Sequence, residues 1–525
     1  MFWRVASGFF WLVMLVSGIL VAASVWVRRT FGEISVDQLL TNLPGGGGEG
    51  AGGPGLVLGG VLTAILLPLL IVTALVLLAA WLRRRAQRSD APRGRVWIAR
   101  ATAIVLVVAV PTASVSFLAS TIGLDDYVRA VAREATTGDS LADFYTVPER
   151  IEEGGAAGGA SGGSDAAAGS ATEPRNLVLI YLESIEDALA DDTVFEKNML
   201  EPIQDATRGW DAIPSLEQYD GGGWTMAGIV STQCGIPLRT DASLAEPATL
   251  NEIGSEGHET DTYLPGATCL GDVLHEAGYR NVYLGGADAR FAGKGAFLST
   301  HGYDEIDDLQ HWKATGETEI RDDWGLSDRR LFERAKERVD ELHAGDRPFN
   351  LTMLTLDTHE SPRVYEYCAW NTEVAMTSIT FCSMEQVAGF IDYLDEQGYL
   401  DDTAVVLMGD HRKMIAQGGS FWDELKDRDD RTIFNRFRIP SGVPGVAGTV
   451  SVARDDVDQF SMYPTILELA GLDIRDHRAG LGVSALVPAE DVPPGSMLDL
   501  SPGDYTDLVR SRSAAFFRQM WGEAE

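Results

Sequence analysis

The run Asn176-Leu177-Val178-Leu179-Ile180-Tyr181-Leu182, followed at once by Glu183-Ser184, decides how the rest of the chain is read. It carries no charge and no polar–apolar alternation, as expected of a strand buried on both faces of a parallel sheet. Three more runs share that character, at 281–284, 349–356 and 403–408. Helical periods lie between and after them, over 270–277, 326–343, 384–399 and 460–470. Such alternation predicts an α/β domain with a mostly parallel sheet over residues 173–497.

The ends of these strands carry the chemistry. The first run ends in Glu183-Ser184, the run at 349–356 in Asp357-Thr358-His359, and the run at 403–408 in Gly409-Asp410-His411. Open α/β sheets bind ligands outside the carboxyl ends of their strands. These residues can therefore converge although they are far apart in the chain. Carboxylates plus imidazole suit a divalent metal. Any one of them alone reads as a helix cap; together they predict a metal site.

A nucleophile is then sought. In Gly221-Gly222-Gly223-Trp224-Thr225-Met226-Ala227-Gly228, one hydroxyl residue sits between a glycine-rich turn and a predicted helix start. Glycines let backbone approach a ligand, and helix N-terminal amides favour anions. A threonine beside a divalent cation loses its proton more readily. Ser231 and Thr232 compete for the role, and Thr225 also reads as a plain N-cap.

Outward from this domain the chain changes character. It has 525 residues, a net charge of −35 and 45% hydrophobic residues. The acidic balance excludes a nucleic-acid binder, which needs a basic surface. The apolar content excludes a mostly disordered chain. Four cysteines are too few for a disulfide-built scaffold but allow two bridges. Three uncharged stretches, at about 5–27, 56–82 and 101–124, exceed the roughly 20 residues that cross a bilayer as a helix. The third contains Pro111. The first competes with a cleaved signal peptide, but it is longer than such a core and two more follow, so an anchor is predicted.

Residues 83–95, between the second and third stretches, carry Arg83, Arg84, Arg85, Arg88, Arg93 and Arg95 against the single acid Asp90. The positive-inside rule places that loop in the cytoplasm. The predicted protein is thus a multi-pass cell-membrane protein, with membrane domain 1–124 and everything beyond extracytoplasmic. Residues 125–153 read as a short amphipathic helix and connector. Residues 154–172 are almost only Gly, Ala and Ser, a flexible tether completing the 125–172 segment. Residues 498–525 read as a C-terminal helix, and there is no internal repeat. The outside location permits disulfides, with Cys234–Cys269 and Cys368–Cys382 as the expected pairs.

As a set, Glu183-Ser184, Thr225-Met226-Ala227-Gly228, Gln233-Cys234-Gly235-Ile236-Pro237-Leu238, Gly302-Tyr303-Asp304, His359 and Gly409-Asp410-His411 resemble the phosphoglycerol transferases. These comprise lipoteichoic acid synthases and enzymes that decorate periplasmic glucans, within the sulfatase and alkaline phosphatase superfamily. The resemblance covers residues 1 to about 497; its stretch from Thr225 to Leu238 looks closest to the glucan-type branch, as does Gly480-Leu481-Gly482. It implies a sulfatase-like α/β fold with Glu183, Thr225, Asp410 and His411 as metal ligands. Manganese is the usual ion, with magnesium or zinc as alternatives. It further implies Thr225 as nucleophile and His359 as a contact to the substrate phosphate. Lys294 falls where lipoteichoic acid synthases carry an arginine for that phosphate. Their tryptophan two residues earlier is Ala292 here.

The implied reaction moves glycerolphosphate from a phosphatidylglycerol-type lipid donor to a glycan or glycolipid acceptor, through a phospho-threonine. Three rivals are a sulfatase or phosphodiesterase, a phosphoethanolamine transferase and a non-catalytic binding protein. A sulfatase needs Cys-x-Pro-x-Arg, and Cys234-Gly235-Ile236-Pro237-Leu238 lacks that spacing. A phosphoethanolamine transferase normally has Ser-x-Pro-Cys after the threonine, which is absent. A binding protein would have lost ligands that are all retained.

Overall fold

The computed structural model describes residues 2–32, 34–36, 58–86, 93–137, 140–151, 174–239, 262–318, 320–440 and 452–522. The glycine-rich stretch at 45–55, Arg88 and the tether at 154–172 lie outside them. The chain divides into two compact units, one built mainly of the N-terminal helices and the other of the α/β domain.

In the first unit, helices run over Phe2–Thr30, Leu67–Ala86 (continuing a π-helical turn at Val61–Leu66) and Arg93–Thr121. Ala6–Thr30 and Leu58–Leu82 are each long and apolar enough to cross a membrane. The third stretch passes the same test only when Val105–Thr121 is counted with Leu124–Ala130, a pair bent by 71°. Large apolar side chains such as Leu12, Leu70, Leu77 and Val108 point outward from these helices. A continuous apolar exterior of this kind belongs in lipid. The Arg28 guanidinium donates to Ser120 and Thr121 hydroxyls at 3.1 Å each, so the first and third helices end side by side. Helix Leu124–Thr137 follows, with Asp125 and Asp126 in its first turn, where carboxylates favour the helix dipole.

The second unit is built on a six-stranded sheet: β1 (Asn176–Leu182), β2 (Arg280–Gly285), β3 (Glu305–Asp307), β4 (Phe349–Leu354), β5 (Thr403–Gly409) and β6 (Asn435–Arg438). The spatial order is β3-β2-β4-β1-β5-β6, parallel except for β6. β1 is buried along nearly its whole length because β4 and β5 flank it and helices cover both faces. Helices Leu270–Glu276, Asp328–His343 and Gln459–Leu469 fall close to their expected places.

Three expectations are corrected. The helix expected at 384–399 spans Ala375–Glu396. Its first turns carry Thr377, Ser378 and Thr380, whose buried hydroxyls broke the apolar period in sequence. The single terminal helix expected at 498–525 is two, Pro502–Arg510 and Ala514–Met520. Ser513, at φ 37, breaks the helix and turns Phe516, Phe517 and Met520 into the core. Nor does the domain begin at 173 or stop at 497. Residues 140–151 pair with it through Thr146–Gly480 and Arg150–Ile474 bridges, and the Trp521 indole donates to the Arg239 carbonyl at 2.8 Å.

Candidate active site

Strand order brings the site together. Leu182 of β1 pairs with Gly409 of β5, so Glu183 and Asp410 leave the sheet side by side. On the other flank Tyr181 pairs with Leu354 of β4, which leads on to His359. The Glu183 N–H donates to Thr355 Oγ1 at 2.8 Å, and Thr358 Oγ1 donates to the Glu183 carbonyl at 2.5 Å. Ser184 takes a left-handed conformation, φ 59, unusual for a residue with a side chain. That turn returns its hydroxyl to Glu183 Oε1 at 2.6 Å and its N–H to Asp410 Oδ1 at 2.9 Å.

Glu183, Asp410 and His411 are all buried, and one ligand atom of each lies within 4.8 Å of the others. His411 Nε2 is 3.8 Å from Glu183 Oε1 and 3.6 Å from Asp410 Oδ2. His411 Nδ1 lies 2.7 Å from the Arg412 carbonyl. A carbonyl only accepts, so Nδ1 carries a hydrogen and Nε2 is the nitrogen that faces the carboxylates. Asp410 Oδ2 is buried with no hydrogen-bond partner. Burial would push Glu183 up, but His359, His411 and the Ser184 hydroxyl hold it well below the usual carboxylate range. Asp410 is pushed up by burial and then by the charge of Glu183. Two close carboxylates sharing one buried space, one of them with an orphaned oxygen, fit a cation between them.

Thr225 opens helix Thr225–Cys234, and its hydroxyl donates to Glu183 Oε2 at 3.2 Å. The helix can come this close because residue 228 is glycine: a Cβ there would lie 2.0 Å from the Asp410 carbonyl oxygen. Ser231 and Thr232, the competing hydroxyls, are fully buried and bond back to the Gly228 carbonyl at 2.9 and 2.7 Å. Cys234 ends the helix in a disulfide with Cys269, and Cys368 is bonded to Cys382. Gly235, at φ 65, lets Leu481 N–H reach its carbonyl at 2.8 Å, so the Cys-Gly-Ile-Pro and Gly-Leu-Gly strings pack on one another.

His359 stands half-buried, its Nδ1 2.9 Å from the Glu360 carbonyl, which leaves Nε2 with a lone pair. Burial lowers its pKa against the pull of Glu183. Lys294 is buried at the start of helix Lys294–Thr300. Burial lowers its pKa too, opposed by the nearby charges of Glu183 and Asp410.

Two contributors had no signal in the sequence. The Trp324 ring lies against His359, centroids 3.6 Å apart and planes tilted by 42°, and its indole donates to the same Glu360 carbonyl at 2.9 Å. Glu186, fully buried, pairs with Arg431 and accepts the Lys413 N–H at 2.9 Å, fastening the segment after His411. A second cluster, Cys269, Asp272 and His301, also has metal-like composition. Its sulfur is in the disulfide, and both His301 nitrogens are engaged, with Asp272 at 2.7 Å and the Tyr263 carbonyl at 2.9 Å. It is a structural knot.

Residues 175–472 match the family model described as Sulfatase. The chain is 31% identical over 357 residues to phosphoglycerol transferase I of Xanthomonas campestris pv. campestris, covering 66% of this chain and 47% of that protein. It is 30% identical over 321 residues to phosphoglycerol transferase I of Escherichia coli, covering 59% of this chain and 39% of that one. It therefore spans less than half the length of these curated relatives. Among solved structures, a protein in the alkaline phosphatase superfamily from Vibrio parahaemolyticus superposes with a TM-score of 0.48 at 18% identity, over 67% of this chain and 89% of that one.

Proposed function

The chain belongs to the sulfatase family, and from that premise we propose that it is a membrane-anchored phosphoglycerol transferase. It moves glycerolphosphate from a phosphatidylglycerol-type lipid to a hydroxyl of a glycan or glycolipid. The observation that carries this reading is the Thr225 hydroxyl, 3.2 Å from Glu183 and at the mouth of a buried Glu–Asp–His cluster whose Asp410 oxygen lacks a partner. Curated relatives named phosphoglycerol transferase I support the choice of head group.

Two carboxylates, an imidazole nitrogen and a hydroxyl form a donor set suited to manganese, and also to magnesium or zinc. Glu183, Thr225, Asp410 and His411 would hold the ion. When bound, it neutralises phosphate charge and eases deprotonation of a hydroxyl. Thr225 Oγ1 attacks the lipid phosphorus, and the bond to diacylglycerol breaks as that alcohol takes up a proton. Glycerolphosphate stays esterified to Thr225. An acceptor hydroxyl then attacks phosphorus, the bond to Oγ1 breaks, and Thr225 regains its proton. His359 and Lys294 face the phosphate oxygens, and the helix N-terminus at Thr225 adds donors toward the same charge. Cys234, being bonded to Cys269, offers no sulfur for sulfatase-type chemistry.

The direct test is incubation of the full-length protein with manganese and head-group-labelled phosphatidylglycerol. Release of diacylglycerol with transfer of label to glycan is expected. Release of inorganic sulfate from sulfated glycans, or transfer from phosphatidylethanolamine instead, would replace this reading with one of its rivals.

The domain works outside the cytoplasm, consistent with the arginine-rich loop and with two disulfides. A reporter active only after export, fused after residue 160, should be active. Activity of a reporter that works only in the cytoplasm would reverse this topology.

A further inference from the structure

We propose that Gln459 is a positioning residue: its amide sets the distance between the Thr225 helix and Asp410, and so how tightly the site holds a divalent cation. The inference rests on reading the site as a metal centre. Glu183 and Asp410 are held together by the sheet register, but Thr225 is not on the sheet. It arrives on a helix from a separate part of the chain, and its separation from the carboxylates needs its own constraint. Sites of this kind require placement to within about 0.5 Å.

The Gln459 side chain lies in that gap and is fully buried. Its Nε2 donates to the Asp410 carbonyl at 3.0 Å, and its Oε1 accepts the Tyr219 N–H at 3.2 Å. Tyr219 opens the turn that leads through the glycines to Thr225. The amide can face only one way, because a backbone carbonyl only accepts and a backbone N–H only donates. The glycines around Thr225 are shaped to it. A Cβ on Gly222 would lie 2.2 Å from Gln459 Oε1, and one on Gly228 would lie 3.4 Å from Nε2 and 2.0 Å from the Asp410 carbonyl. Gln459 is itself anchored. Its N–H bonds the Glu217 carbonyl at 3.2 Å, and Asp458 caps the helix it begins by accepting from Phe460 N–H at 2.9 Å. One amide thus ties the segment before Thr225, the strand end bearing Asp410 and the start of helix Gln459–Leu469.

Groups that orient metal ligands change affinity by about 10- to 100-fold when removed. The test compares full-length wild type with Gln459→Met, which keeps the length and drops both bonds, and Gln459→Glu, which keeps the acceptor but sets a carboxylate oxygen against the Asp410 carbonyl. Manganese affinity is read from the paramagnetic resonance of free Mn2+, and thermal unfolding is recorded on metal-free protein. Both variants should bind Mn2+ roughly 10- to 100-fold more weakly. Their kcat should fall while KM for the lipid stays near wild type. A purely structural residue would lower the melting temperature and leave Mn2+ affinity unchanged. Affinity within twofold of wild type in either folded variant overturns the positioning role. If wild type takes up no Mn2+, the metal-centre reading itself falls.

Discussion

Thr225→Ala is expected to abolish both diacylglycerol release and transfer to the acceptor. The loss should reach at least about 10⁴-fold, the scale on which removal of a covalent nucleophile acts. A single hydroxyl serves at that position, and it points at Glu183 from the first turn of its helix. The fold should survive, because Thr225 is only half-buried and makes no backbone cap. Thr225→Ser keeps the oxygen and should keep part of the activity. Wild type given lipid but no acceptor should carry glycerolphosphate on Thr225, seen by mass spectrometry of the peptide containing it. An adduct on Ser231 or Thr232 is excluded by the same geometry, since both hydroxyls are turned into the core. Continued diacylglycerol release by Thr225→Ala would reduce Thr225 to a helix-start residue.

Asp410→Asn carries the second large effect. The variant retains an Oδ1 acceptor for the Ser184 and His411 N–H groups, at 2.9 and 2.8 Å, so the strand end stays tied. It removes the charge facing Glu183. Two consequences of opposite sign follow. Without metal, the variant should melt at or above the wild-type temperature, because a buried repulsion has been removed. With metal, wild type should gain about 2.7 kcal/mol of stability at a hundredfold excess of Mn2+ over its Kd, while the variant gains almost none. Glu183→Gln and His411→Ala should also lose the metal-induced gain, but Glu183→Gln should melt below wild type without metal, because the Glu183 charge is favoured by its surroundings. Calorimetric scans with and without Mn2+ check this. An equal metal-induced shift in wild type and Asp410→Asn would remove Asp410 from the ligand set.

Gln459 and Trp324 show how far a linear reading reaches. Each is an unremarked polar or aromatic residue in its own neighbourhood, with no period or motif to single it out. Each matters through one or two atoms that meet a distant backbone carbonyl: Asp410 for Gln459, Glu360 for Trp324. By contrast, Glu183, His359, Asp410 and His411 stand directly after runs of buried apolar residues. Position relative to a strand end is visible in one dimension.

What the sequence determined by itself were the buried strands, the apolar N-terminal stretches and the residues delivered at strand ends, because each depends on local period and composition. β1 falls at Asn176–Leu182, the bounds its lack of alternation marks. The tertiary structure alone decided that β1 lies between β4 and β5, which makes Glu183 and Asp410 neighbours. It also separates three hydroxyls on one helix: the helix start reaches Glu183, while its later turns bury Ser231 and Thr232. The break at Ser513 and the early start of helix Ala375–Glu396 belong to the same class. At the first, the Ser513 hydroxyl accepts the N–H of Leu141, which is distant in the chain. Strand order, register and such pairings are settled by long-range packing and hydrogen bonding, which local propensity does not encode.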